Sequence, residues 1–248
     1  MRYRGMVASP KLRSWTEVIS IVVEMAAPLS AGAVAADIQR RDGPDADSLI
    51  AAFRSSPLDA KRILEQLAMH KDPAVRAWVP WAARRGLSKP DAVAIALRLV
   101  RDRDSDVRDV ALDELVELDR EAASKLAGTL RQRLKSKEFY EPIAAMWALA
   151  AIGDKASVDD IRANAAHWDN ALHKNTAEVV CLLLEDRGTE VVRRIRDHDH
   201  RLMPWLSKAA RILGTDDAWD ALQACSRTAP DDECRHFCQE ELDKTGRR

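Results

Sequence analysis

The sequence predicts an all-α chain built from stacked helix pairs, and three observations predict it. Only nine glycines occur in 248 residues, while Ala, Leu, Arg, Glu and Asp, which suit helices and their ends, dominate. No run of alternating Val, Ile and Thr leads into a hairpin turn signal, so strands are not expected. A short acidic lead into Val-Arg also recurs at the head of apolar helices, at the spacing of a structural repeat.

The first segment, residues 1–44, is the least regular. MRYRGMVASPKLRSW is basic, and ISIVVEMAAPLSAGAVAAD is largely apolar and ends in small residues, a faint likeness to a secretory signal. Glu24 and Pro28 interrupt the apolar run, which is too short and broken to span a bilayer. Capping helices or an irregular segment over the open end of the core are expected here, in a cytoplasmic chain without membrane association.

From residue 45 the repeat begins. DPAVRAWVPWAARRG (72–86) aligns with DSDVRDVALDELVEL (104–118), with Val75-Arg76 on Val107-Arg108. KEFYEPIAAMWALAAIGD (137–154) keeps the apolar spacing without Val-Arg, so that Ala111, Leu115 and Leu118 correspond to Ala145, Leu149 and Ile152. NTAEVVCLLLEDRG and LMPWLSKAARILGT continue the series. Helices of different character alternate with these: PDAVAIALRLVRD, REAASKLAGTLRQRL, KASVDDIRANAA, TEVVRRIRDHD and DAWDALQACSR, each opening near a capping signal. The spacing of roughly 27–34 residues is that of helical-pair solenoids, in which each pair completes its core only by stacking on its neighbours. The acidic residue caps the helix that follows. The arginine one turn in is expected to pair with acidic residues of the inter-repeat turns, which makes Asp72, Arg76, Asp104 and Arg108 structural. Pro80, Pro142 and Pro204 each fall near the start or middle of one of these helices, where a proline removes one hydrogen bond and bends the axis.

This acidic-x-x-Val-Arg pattern before an apolar helix resembles the HEAT or HEAT-like repeat. The resemblance covers roughly residues 45–243, is strongest at 72–118, and leaves 244–248 as a tail. It implies an α-α superhelix of about five to six stacked helix pairs. It also implies that helices near 73–86, 105–118, 139–152, 171–185, 201–213 and 231–243 form an inner, concave wall.

The same alignment yields candidate partner-binding residues. Trp81, Asp113 and Trp147 share one register, and a charged Asp113 is rarely buried, so both tryptophans are expected to face solvent. Trp78 aligns with Val110 and Ala144 and is expected in the core, as is Trp205. Around Trp81, residues 71–101 are rich in Lys and Arg, including Arg84 and Arg85. Residues 102–120 are rich in Asp and Glu, including Asp109 and Asp113. Such blocks imply pairing between repeats, and also a groove with a basic patch beside an acidic one.

Catalytic chemistry is not evident. No Gly-rich phosphate loop, GxSxG or HExxH occurs. The cysteines, Cys181, Cys225, Cys234 and Cys238, form no CxxC and are expected as reduced, buried thiols, with no metal or cofactor assigned. A net charge of −1 speaks against a dedicated polyphosphate binder. The leading expectation is a non-catalytic protein that grips another protein in its groove, as an adaptor, regulatory subunit or inhibitor. A second comes from KSKEFYEPIAAMWAL, which resembles a segment of the DNA alkylation repeat family of alkylpurine glycosylases. That resemblance implies a DNA-binding protein or an alkylpurine DNA glycosylase, with Trp147 as a groove aromatic and Arg108 facing DNA. The Trp-Asp motif of that family should fall within residues 71–77, where this chain reads KDPAVRA, with Arg76 in place of the aspartate.

Overall fold

The structure is a computed structural model that describes residues 18–19, 43–44 and 46–245, with side chains for 50–244. The expected capping segment and the signal-like stretch therefore lie outside the described residues, two dipeptides excepted. The described residues form fourteen α-helices, and Val18–Ile19 and Gly43–Pro44 make a parallel bridge too short to form a sheet layer. The fold is all-α, with successive helices packed in pairs.

The chain divides into two compact units, Met1–Ala123 and Ser124–Arg248. The first contains α1 (Ala46–Ser55), α2 (Pro57–Leu67), α3 (Pro73–Gly86), α4 (Lys89–Leu99) and α5 (Ser105–Leu118). The short α6 (Arg120–Ser124) spans the boundary. The second unit contains α7 (Ala127–Arg133), α8 (Glu141–Ile152), a 3-10 turn (Lys155–Ser157), α9 (Val158–Ala165), α10 (Ala171–Leu184), α11 (Gly188–Arg196), α12 (Met203–Leu213), α13 (Asp216–Thr228) and α14 (Asp232–Thr245). The six helices expected on the wall are α3, α5, α8, α10, α12 and α14, each within two residues of its expected bounds. REAASKLAGTLRQRL, expected as one helix, divides into α6 and α7, with the break at Lys125–Leu126 just after the boundary between the units.

In the first unit, α3 packs beside α5, with α4 between them in sequence and against both. Val75, Val79, Ala83, Val107, Ala111 and Leu115 are fully buried along this contact, as the periodicity requires. Trp78 joins them in the core, edge-on to Phe53 at 6.4 Å. Gly86 permits that approach, because a Cβ there would stand 2.9 Å from the Phe53 Cβ. In the second unit, Ala145 and Leu149 are buried while Ile152 is half-buried at the end of α8. Gly153 then closes α8 in the left-handed conformation, where a side chain would be strained. Pro142 and Pro204 sit in first turns, where no N–H is needed, and only Pro80 lies inside its helix.

The motif fastens the repeats through an acidic residue of the inter-repeat turn, as expected, but the carboxylate at Arg76 is neither Asp72 nor Asp104. Asp72 and Asp104 cap α3 and α5, accepting from Ala74 N at 2.9 Å and from Asp106 N and Val107 N at 3.1 and 3.2 Å. The carboxylate that Arg76 reaches is Asp102, in the turn before α5, through Nε at 2.8 Å and Nη2 at 2.7 Å. Arg76 Nη1 also donates to the carbonyls of His70 and Lys71. Arg108 repeats that second contact, with Nη1 on the carbonyls of Asp102 and Arg103 at 3.0 and 3.1 Å. The physical reason is reach. An arginine in the first turn lies over the loop that precedes its own helix, so it meets carbonyls left unpaired by the chain reversal. A third copy stands in the second unit, where Asp231 caps α14 and Arg235 Nη1 donates to Ala229 O.

Arg76 is only 4 % exposed, so loss of its side chain leaves the half-buried Asp102 carboxylate without its cation, with only the Asp104 N–H still donating to it. Arg76→Ala should cost about 3–5 kcal/mol, Arg108→Ala nearer 1–2 kcal/mol, and Leu115→Ala about 2–5 kcal/mol, read from urea midpoints. Burial alone would raise the Asp102 pKa, but hydrogen bonds from Arg76 and the Asp104 N–H outweigh it and hold the carboxyl below its ordinary 3.8. A depressed folded-state pKa stabilises the fold above that ordinary value and loses its effect as pH falls below it. Stability should therefore decline from about pH 4 downward, with a flatter decline in Arg76→Ala.

Candidate functional site

Five of the six expected partner-binding residues lie on α3 and α5. Trp81 is half-buried, packed on Trp78 at 6.0 Å and covered by the Arg85 guanidinium, 4.4 Å from its ring centroid. Arg84 is paired with Glu114 of α5, and Asp113 is exposed while Asp109 is half-buried. The basic and acidic blocks thus meet each other, and much of the expected charge contrast is spent between neighbouring helices.

Trp147 corrects the register reading. It is 6 % exposed, with Lys208 Nζ 4.9 Å from its ring centroid. The reason lies in α8 itself: eight of its twelve residues are buried, so this helix is covered almost all round. An exposed Asp113 in one repeat therefore sets nothing for the same position in another. Trp205, expected in the core, is half-buried, and its Nε1 donates to Thr176 Oγ1 at 2.9 Å. Trp147 and Arg108, the residues that carried the DNA-facing resemblance, are engaged in the core and with loop carbonyls.

Sequence reading missed a cleft in the second unit. It measures about 350 Å³ and opens between α9 and α11, with α10 as its floor. Ala177, Cys181 and Leu182 make the floor apolar, because they recur along one face of α10. Arg162, Lys174, Arg187 and Arg194 line its sides with Glu178 and Glu185, so cations outnumber carboxylates four to two. Each carboxylate is shared. Glu178 takes Arg194 at 2.7 Å and Arg201 at 2.9 Å, while Glu185 takes Arg162 and, at 3.9 Å, Arg187. Burial would raise the Glu178 pKa, but hydrogen bonds from Arg194 and Arg201 hold it below the ordinary value. Burial also pushes the Cys181 thiol up to about 11, which leaves it protonated at neutral pH.

An aromatic group flanks the start of α10. Phe139 lies 4.9 Å from Tyr140 and 5.0 Å from His173, and Trp168 lies 5.2 Å from His173. Phe139 and Tyr140 are 40 % and 42 % exposed, whereas His173 is buried, and burial holds its pKa below the ordinary value. The only sequence signal for this surface was composition, with aromatics in KEFYEP and AAHWDN and arginines beside TEVVRRIR.

The sulfurs pack as expected. Cys225 and Cys238 are buried against Met203 at 3.9 and 3.7 Å, and His236 stands exposed on α14. Neither a protein-family model nor a curated protein matches the chain.

Two measurements check these assignments. Trp147→Ala should lower stability by about 3–5 kcal/mol, as a buried indole requires. In the native protein at pH 8, Cys181 should resist alkylation, becoming reactive only on unfolding.

Proposed function

We propose that the chain is a non-catalytic HEAT-like repeat protein that binds another protein, as an adaptor, regulatory subunit or inhibitor. The binding surface is the α9–α11 cleft with the aromatic group at the head of α10. One observation carries this reading: an apolar floor is lined by four cations and two carboxylates, with Glu190 and Asp199 reaching only Arg194 from outside the lining. Such a cleft suits an acidic side chain next to an apolar anchor on the partner. The guanidinium forks give direction to a carboxylate, and Phe139 and Tyr140 offer contact area at low entropic cost. The surface differs from the one expected around Trp81 and Trp147, because Arg84 is matched by Glu114 of α5, Arg85 lies over the Trp81 ring, and Trp147 is covered.

The test uses labelled peptides rich in Asp and Glu with one aromatic residue, basic peptides of the same length, and single- and double-stranded DNA. Acidic peptides should bind, and Arg162→Glu with Arg187→Glu should weaken them about tenfold or more at unchanged melting temperature. Their affinity should fall gently with salt. Preference for DNA, with a loss of about 10³-fold between 50 and 200 mM salt, would replace this reading with the nucleic-acid one.

A further inference from the structure

A second constellation lies apart from the cleft, where the turn after α11 meets the start of α14. The chain leaves α11 through His198, which takes the left-handed conformation at φ 54° that glycine usually supplies. His198 N donates to Ile195 O at 3.1 Å and Asp199 N to Arg194 O at 3.1 Å, closing the helix and sending His200 back across the repeat. There its Nδ1 stands 3.1 Å from Asp231 Oδ2 and 3.3 Å from Cys234 Sγ. Each of the three residues offers one ligand atom, and all three atoms lie within 4.8 Å of one another.

Their supports are as specific as their positions. The two oxygens of Asp231 divide their tasks: Oδ1 accepts from Glu233 N at 2.6 Å and Oδ2 faces His200. Cys234 occupies the first turn of a fourteen-residue helix, and burial together with the nearby Asp231 carboxylate pushes its thiol up to about 11, so it stays protonated until a cation displaces the proton. It is 3 % exposed, with its sulfur aimed at the exposed imidazole of His200. A tetrahedral zinc site with bonds of about 2.0–2.3 Å holds its ligand atoms roughly 3.3–3.6 Å apart. The two distances from Nδ1 already approach such edges. Nitrogen, thiolate and carboxylate together match a borderline-soft divalent ion, and among the described residues no lysine or arginine is paired with Asp231 to compete for its oxygen.

We propose that His200, Asp231 and Cys234 form a three-ligand site for a zinc-class divalent ion, with the fourth position open on the solvent side at His200. Binding displaces the Cys234 proton to solvent, and the ion joins the α11–α12 turn to the head of α14. The site does not depend on the binding reading above, since it shares no residue with the cleft.

The full-length chain, reduced and stripped with chelator, would be titrated with zinc by calorimetry and with cobalt by absorbance. One ion per chain should bind, zinc should raise the melting temperature, and cobalt should give a near-ultraviolet thiolate band. Cys234→Ser should abolish the band, and His200→Ala should lower zinc affinity about a hundredfold. Because His200 is exposed, its substitution keeps the test valid if Cys234→Ser fails to fold. Cys181→Ser and His236→Ala should leave binding unchanged. Absence of the cobalt band, zinc affinity indifferent to His200→Ala, or a band that survives Cys234→Ser and disappears in Cys225→Ser would each overturn the site. The first outcome would leave His200 and Asp231 as a plain histidine–carboxylate pair.

Discussion

The Arg76 guanidinium joins three segments that would otherwise have no reason to meet. It belongs to α3, it holds the carbonyls of the loop before α3, and it grips the Asp102 carboxylate in the turn before α5. A buried guanidinium is tolerable only when its donors and its charge are both satisfied, and this one is. Once that geometry is imposed, α3 and α5 must lie side by side at a set height. The alignment of Val75 and Val79 with Val107 and Ala111 in the core follows. Arg108 and Arg235 repeat the carbonyl contact, so the same closure recurs in both units.

Charge elsewhere follows the same period. Lys61 pairs with Asp91 and Lys89 with Asp119, each 30 residues on, while Arg131 pairs with Asp154, 23 residues on. Arg211 reaches the buried Glu241, again 30 residues away. Of these, the exposed pairs contribute little energy each, whereas the Arg211–Glu241 pair is largely buried. Their value is in register, since a helix displaced by one turn would lose these partners. Where pairing is complete, as between Arg84 and Glu114, the surface has little left for a partner. Where cations exceed carboxylates, as in the α9–α11 cleft, charge remains available. The distribution of unmatched charge is thus what separates scaffold from candidate site.

Helix starts serve double purposes in this chain. Asp102 pairs with Arg76 while one of its oxygens accepts from Asp104 N. Asp231 caps α14 with one oxygen and faces His200 with the other. A capping carboxylate is well placed for this, because one oxygen is enough for the cap and the helix backbone holds the second in a fixed direction. The motif that stacks the repeats also builds rigid polar corners between them.

Much of the fold was legible in the order of residues. Periodicity and caps are local properties, so the six helices expected on the inner wall fell within two residues of expectation, and Val75, Val107 and Leu115 were placed in the core correctly. The structural role of Arg76 was legible too, because charge one turn into a helix has few places to go. Its partner was not, since Asp72 and Asp102 are equally acidic and only the path of the loop brings one of them to the guanidinium. Trp147 shows the same limit more sharply: its register matched an exposed Asp113, but exposure is set by how many neighbours cover a helix. The cleft and the His200–Asp231–Cys234 cluster also belong to tertiary structure. Their residues lie 34 or fewer positions apart without any shared motif, and it is the stacking of one helix pair on the next that brings them within reach of each other.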